Sequence, residues 1–238
     1  VHTGDESLAV IGRSGELASI EAVIAAAQGG SGSVLIARGE AGIGKTRLLE
    51  VGSARARTEG LAVVSCSGDP VDRQIPFAVL APLVGPVPPA SSVPGAQLYR
   101  VQEALIGRVE TMATESPLLL TVDDLHWADE PSLAALTALA RRVPDLPVAM
   151  VLAARPTPPL PVAIEERLLE RCAAVLEPSP LDDEEIEQLV VEELGGRPDD
   201  AFRKLLAGAN GNPFLVVELI RTLAEEQAIE RDDGEVRS

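Results

Sequence analysis

Residues 33–46 read Ser33-Val34-Leu35-Ile36-Ala37-Arg38-Gly39-Glu40-Ala41-Gly42-Ile43-Gly44-Lys45-Thr46. The apolar run Val34–Ala37 predicts a buried strand. Thr46 to Arg57 predicts a helix, and the turn between them is G-x-x-x-x-G-K-T. A strand, a glycine-rich turn and a helix in that order make a phosphate cradle. Glycines let the backbone curl so that several N–H groups point inward, and the helix N-terminus favours an anion. Gly39, Glu40, Ala41, Gly42, Ile43 and Gly44 then form the cradle. Lys45 reaches the β- and γ-phosphates, the Thr46 hydroxyl ligates Mg²⁺, and Arg47 follows in the first helical turn. The chain has only two lysines, and one of them stands at the position this pattern requires.

Working outward, Leu8 to Ala27 is apolar at helical spacing, with Ser14 as candidate N-cap and Gln28-Gly29-Gly30-Ser31-Gly32 as the stop. Residues 1–7 read as a frayed tail. Further strands are predicted at Leu61–Cys66, Leu118–Val122, Val148–Ala153 and Ala173–Leu176, and helices at 96–111 and 131–143. Five prolines within residues 82–95 predict a loop without helix or central strand, either functional or mobile. From Leu181 the pattern turns to helices alone: Asp182-Asp183-Glu184-Glu185 starts one, its acids suiting the helix dipole, and 199–208 and 212–228 give two more. Alternating strands and helices followed by helices imply a parallel α/β domain and a small helical one.

Composition narrows the function classes. With 46% hydrophobic residues among 238, the chain can bury a sizeable core, but only 2% are aromatic, so Ala, Val, Leu and Ile must fill it. The formal net charge of −17 argues against a nucleic-acid or anionic-membrane surface, each of which needs a basic patch. It leaves room for a local anion site built from backbone N–H groups. Much of the charge lies between residues 165 and 200, where thirteen acids face three arginines and read as a solvated face. Cys66 and Cys172 form no metal or disulfide pattern, so a reducing cytoplasm is the default. No apolar run approaches the ~18–20 residues of a membrane span. The N-terminus lacks a signal peptide and an initiator Met, which suggests a piece of a longer protein.

A cradle needs a second contact to its metal, usually an acid at a neighbouring strand end. Leu118–Val122 is followed by Asp123 and Asp124. Asp123 is the candidate for the Mg²⁺ shell. Asp124 either polarises an attacking water or caps the following turn.

Leu125-His126-Trp127-Ala128-Asp129 completes D-D-L-H-W-A-D. Together with G-E-A-G-I-G-K-T-R-L-L, it resembles the nucleotide-binding domain of large LuxR-type bacterial transcriptional regulators. These belong to the STAND class of ATPases, relatives of AAA+ proteins. The resemblance runs from Val10-Ile11-Gly12-Arg13 to Gly211-Asn212-Pro213-Phe214 and takes in Gln74-Ile75-Pro76-Phe77. It implies that Ile11, Gly12 and Arg13 lie beside the nucleotide; without it, Arg13 is a surface cation. It implies that Arg155, after Val151–Ala154, senses the γ-phosphate; otherwise Arg155 is a strand-end arginine. It implies that Pro213 packs near adenine; from the residues alone, Asn212-Pro213 is a helix stop and restart. His126 is either a polar hinge or a packed residue, and Trp127 core or interface. Asp129 either assists the metal or starts a helix. No clear arginine finger stands out, Arg221 is the one candidate for a second sensor, and the DNA-binding region of such regulators is absent.

The fold expected is α/β: a P-loop NTPase with a parallel five-stranded sheet sandwiched by helices, plus a small C-terminal helical lid. The resemblance adds the strand order 5-1-4-3-2. The core is expected over 1–180 and the lid over 181–238. The function expected is a regulatory ATPase that binds ATP or ADP with Mg²⁺. Lys45, Asp124 and Arg155 are its catalytic residues, and Thr46 and Asp123 its metal ligands. Its partners are the other domains of a regulator and a second copy when ATP is bound. Two alternatives stand beside it: a module that holds nucleotide without turnover, and an AAA+ motor or P-loop kinase.

Overall fold

Five apolar runs become five parallel strands in the computed structural model, which describes residues 10–85, 95–226, 228–232 and 235–237. They are β1 (Ser33–Arg38), β2 (Ala62–Ser67), β3 (Leu118–Asp123), β4 (Val148–Ala154) and β5 (Cys172–Leu176). The sheet order β2-β3-β4-β1-β5 is the expected 5-1-4-3-2 read from the other edge. All seven residues of β4 are buried, as suits a central strand covered on both faces. In register, Arg38 lies beside Ala154 and Val122 beside Leu152, so β1, β3 and β4 end near a common level.

The helices flanking this sheet are α1 (Ser14–Gln28), α2 (Lys45–Thr58), α3 (Ala81–Val84), α4 (Gly95–Glu115), α5 (Glu130–Ala140) and α6 (Val162–Leu169). Leu118, Leu120, Val122, Met150 and Leu152 pack with Leu133, Leu136 and Leu139 in a core whose one aromatic side chain is Phe77. Each leucine fully buried there contributes about 1.5–3 kcal/mol.

Two units divide the chain. The sheet unit holds Gly15–Glu40 and Lys45–Glu177. The other holds the described residues of 1–14, the loop tip Ala41–Gly44, and the described residues from Pro178 onward. In this second unit α7 (Asp183–Leu194) opens with a capping box, in which Asp182 accepts from the Glu185 N–H and Glu185 accepts from the Asp182 N–H. Next come α8 (Asp200–Leu206) and α9 (Pro213–Glu225). Ile186, Val190, Phe202, Leu206, Val216 and Ile220 form its core.

Two local expectations need correction, and one helix was not foreseen. The C-terminal region is not helical alone: β6 (Arg197–Pro198), β7 (Glu230–Asp232) and β8 (Glu235–Arg237) form a small sheet ordered β6-β8-β7. Strands of two or three residues are too short to show a period of two. The proline-rich segment begins inside α3, where Pro82 sits in the first turn, the one helical place that tolerates it. Residues 86–94 of that segment, and the tail 1–7, lie outside the described residues. Helix α6 falls where Pro156, Pro158, Pro159 and Pro161 masked a helical pattern; Pro161 stands at its N-cap. Among the described residues no helix is long and apolar enough to cross a membrane.

Candidate nucleotide site

In the sheet unit, Gly39 leaves β1 with its N–H donating to the Ala154 carbonyl at 3.3 Å. Lys45 opens α2 and is 5% exposed. Its Nζ donates to the Gly39 and Glu40 carbonyls, each at 2.7 Å. An ammonium has three donors, and these two bonds leave one for an incoming anion. Burial is the main cause holding the Lys45 pKa below the ordinary lysine value; Arg155 adds to it, and Asp124, Asp123 and Glu40 oppose it.

Thr46 Oγ1 donates to Asp123 Oδ2 at 2.6 Å, while Asp123 Oδ1 accepts the Asp124 N–H at 2.7 Å. A hydroxyl and a carboxylate oxygen in contact are hard donors of the kind Mg²⁺ takes. No group of three or more His, Cys, Asp or Glu side chains able to hold a metal occurs among the described residues. The pair therefore fits an ion that completes its shell with phosphate oxygens and water.

Asp124 has left-handed backbone (φ 45°, ψ 42°) and makes no side-chain cap. Its carboxylate faces Arg155 instead, with Oδ1 3.4 Å from Nε. His126 lies in the 3₁₀ turn Leu125–Trp127, 2% exposed, and its Nδ1 accepts the Arg155 backbone N–H at 3.3 Å. Burial is the largest cause lowering the His126 pKa, against a raising effect from Asp124. Trp127 is half-buried, with the Arg73 guanidinium 5.8 Å from its ring centroid. Lys45, Thr46, Asp123, Asp124 and Arg155 thus meet at one edge of one sheet.

Asp129 is a helix start. Its Oδ1 accepts the N–H groups of Ser132 and Phe77 at 2.8 and 2.9 Å, and its Oδ2 accepts the Ser132 hydroxyl at 2.6 Å. Asp129→Ala removes an N-cap and strands a buried Phe77 N–H, and is expected to cost about 3 kcal/mol. Chemical denaturation checks this, and a loss under about 1 kcal/mol would show that the cap is dispensable.

Gly68, just past β2, was not legible as a site residue. A Cβ there would lie 2.4 Å from the Asp124 carbonyl oxygen and 3.2 Å from the Trp127 Cβ. Only glycine lets β2 press against the turn that carries Asp124 and His126. Gly68→Ala is expected to displace that turn and quench or shift Trp127 emission. An unchanged spectrum would show that the turn yields without cost. A glycine one residue beyond a strand was the only available signal.

In the second unit, Arg13 is buried, not a surface cation. It donates to the Ser179 carbonyl at 2.6 Å and the Ile43 carbonyl at 3.2 Å. Ile11 and Gly12 form the turn before it. Asn212 caps α9 by accepting from the N–H groups of Phe214 and Leu215, and its Nδ2 donates to the Ala41 carbonyl at 2.9 Å. The Phe214 N–H also donates to the Gly42 carbonyl at 3.2 Å. Gly42 is left-handed (φ 77°), and a Cβ on it would meet Asn212 Oδ1 at 2.7 Å. Arg13, Asn212 and the Phe214 N–H therefore hold the loop tip by its carbonyls. Pro213 is the first residue of α9. Arg47 pairs with Glu50 at 3.2 Å, and Arg221 with Glu225 at 3.1 Å on the exposed side of α9. Cys66 and Cys172 are free, and burial pushes their thiols up to about 12 and about 11, so neither is a nucleophile at neutral pH.

Comparison with known proteins bears on the family and the fold. A family model described as an AAA ATPase domain matches residues 9–152. An uncharacterised protein of Rhizobium meliloti (strain 1021) is 28% identical over 191 residues, 62% of this chain and 19% of that protein. The Aeropyrum pernix ORC1 protein, solved in complex with DNA, is 19% identical with a TM-score of 0.67, over 97% of this chain and 63% of that one. Cdc6p of Pyrobaculum aerophilum is 14% identical with a TM-score of 0.69, over 95% and 65%. A Thermotoga maritima RuvB variant is 17% identical with a TM-score of 0.57, over 90% and 62%. At these identities the structures share the fold. The chain spans under two thirds of each solved chain and about a fifth of the Rhizobium meliloti relative.

Proposed function

We propose, from the premise that this chain belongs to the AAA ATPase domain family, that it binds ATP with Mg²⁺, hydrolyses it slowly, and serves as the nucleotide switch of a larger LuxR-type regulator. The observation that carries the reading is the 2.6 Å bond from Thr46 to Asp123, with Lys45 and the Asp124–Arg155 pair at the same sheet edge. That edge is where open parallel sheets bind ligands.

Each residue has a role in this reading. Lys45 binds the β- and γ-phosphates with its remaining donor. Thr46 and Asp123 hold Mg²⁺, which when bound neutralises charge on the transferring phosphoryl group. Asp124 orients the attacking water. Arg155 exchanges the Asp124 carboxylate for the γ-phosphate, whose oxygens suit a guanidinium. The backbone N–H groups of Lys45 and Thr46, at the N-terminus of α2, receive the remaining phosphate oxygens. As a switch, the domain must favour one of two states when the γ-phosphate is present, because a ligand that binds both equally shifts nothing. Oligomerisation and DNA binding would then belong to domains beyond this chain.

Acid denaturation of the purified protein, followed by ion-exchange chromatography, tests the site directly. About one ADP or ATP per chain, together with Mg²⁺-dependent phosphate release, is expected. Neither bound nucleotide nor measurable ATP affinity would overturn the reading. The Asp124–Arg155 ion pair also supports a second reading, in which the chain holds nucleotide without turnover. Bound nucleotide with no phosphate release would favour that one. ATP-dependent ring formation in size-exclusion chromatography would favour a motor.

A further inference from the structure

We propose that His126 is a positioning residue, which pins the backbone at Arg155 with one ring nitrogen and orients the Asp124 carboxylate with the other. The inference rests on the roles given above to Asp124 and Arg155.

The local chain path puts the ring there. Asp124 takes left-handed backbone, and the Trp127 N–H returns to the Asp124 carbonyl at 2.9 Å. His126 is thereby folded in toward the end of β4, with its side chain fully shielded from solvent. Its Nδ1 is an acceptor, because it receives the Arg155 N–H. A neutral ring then carries its proton on Nε2. Burial, which lowers the His126 pKa, favours that neutral ring.

Nε2 lies 3.8 Å from Asp124 Oδ1 and has no hydrogen-bond partner. Arg155 Nε, 3.4 Å from the same oxygen, has none either. Two buried donors therefore converge on one carboxylate oxygen, Arg155 Nε at ion-pair distance without a hydrogen bond and His126 Nε2 just beyond hydrogen-bond reach. Buried donors are nearly always satisfied, and a ring that served only as packing would leave Nε2–H without purpose. A shift of the carboxylate by about 1 Å brings it within hydrogen-bond distance of Nε2.

The arrangement separates the two ends of Arg155. Its backbone stays fixed to Nδ1 while its guanidinium is able to leave Asp124 for a phosphate. Nε2–H then remains as the donor that holds Asp124 in line. His126 thus links the residue that reads the γ-phosphate to the residue that orients water.

Two measurements on the full chain test this. The first is the ¹⁵N spectrum of the imidazoles, read without nucleotide; the chain has two histidines, and His126→Phe identifies the signal. The Nε2–H tautomer is expected, with its resonance moved by Asp124→Asn. The Nδ1–H tautomer would overturn the inference.

The second is ATP turnover. His126→Phe keeps the packing and loses both arms, and is expected to lower kcat about 10–100-fold with KM for ATP little changed, as misplacement by about 1 Å does. His126→Gln returns a donor near the Nε2 position and restores most of kcat. His126→Asn keeps only the acceptor toward Arg155 and does not. Equal kcat in the Gln and Asn variants would overturn the inference, even if the Phe variant fails to fold. A dead Asp124→Asn beside a folded, fully active His126→Phe would overturn it too, while the reading of Asp124 stands. Full activity in both would overturn that reading itself.

Discussion

Lys45→Ala is expected to weaken Mg²⁺–ATP binding about 100-fold or more in isothermal titration. The ammonium lies almost wholly inside the protein, with two donors on the Gly39 and Glu40 carbonyls. Its position gives it a charge-assisted bond to phosphate, worth about 1.5–3 kcal/mol. Losing the one such bond that its remaining donor makes costs, at the upper end of that range, about 3 kcal/mol, or roughly 100-fold in affinity. Alanine is a strong helix former and stands at the first position of α2, so the helix itself should survive. Wild-type affinity in a folded Lys45→Ala protein would sink the phosphate-cradle assignment.

Asp124→Asn is expected to cut phosphate release by about 10²–10⁴-fold while leaving nucleotide affinity intact. The nucleotide recovered after denaturation should shift from ADP toward ATP. Stability should change little. Asn is among the few residues that accept the left-handed backbone found here. The ion pair lost with Arg155 is worth at most about 1 kcal/mol, since its partners are 27% and 36% exposed. Single-turnover quench assays separate chemistry from release. Unchanged chemistry would move the water-orienting role elsewhere.

The sheet was legible because β1, β3 and β4 are apolar runs flanked by turn residues, and one of them feeds the glycine loop; its strand order came from the family resemblance alone. Thr46 and Asp123 were legible as candidates for one site for a related reason: Thr46 follows the glycine loop at the start of α2 and Asp123 ends an apolar strand, and β4, between β1 and β3, carries both to one sheet edge. Other features had no local signature. Gly68 matters through what a Cβ would strike, and that depends on a turn more than fifty residues away in the chain. Asp129 reads alike as a metal ligand and as a cap until Ser132 and Phe77 occupy its oxygens. Arg13 looks like any surface cation until the Ile43 and Ser179 carbonyls enclose it. Asn212 reads as a helix cap, and nothing near it in sequence announces the loop at Ala41. The small sheet β6-β8-β7 escaped notice because its strands are shorter than any period that could reveal them.

The bond from Asn212 to Ala41 spans 171 residues of chain. That distance sets an order of events during synthesis. The sheet unit has its last strand by Leu176, so its core can form before residues 178–238 have left the ribosome. The carbonyls of Ala41, Gly42 and Ile43 must wait for Asn212, Phe214 and the Ser179 segment that anchors Arg13. A nascent chain therefore owns a folded sheet and an unfinished phosphate loop at the same time.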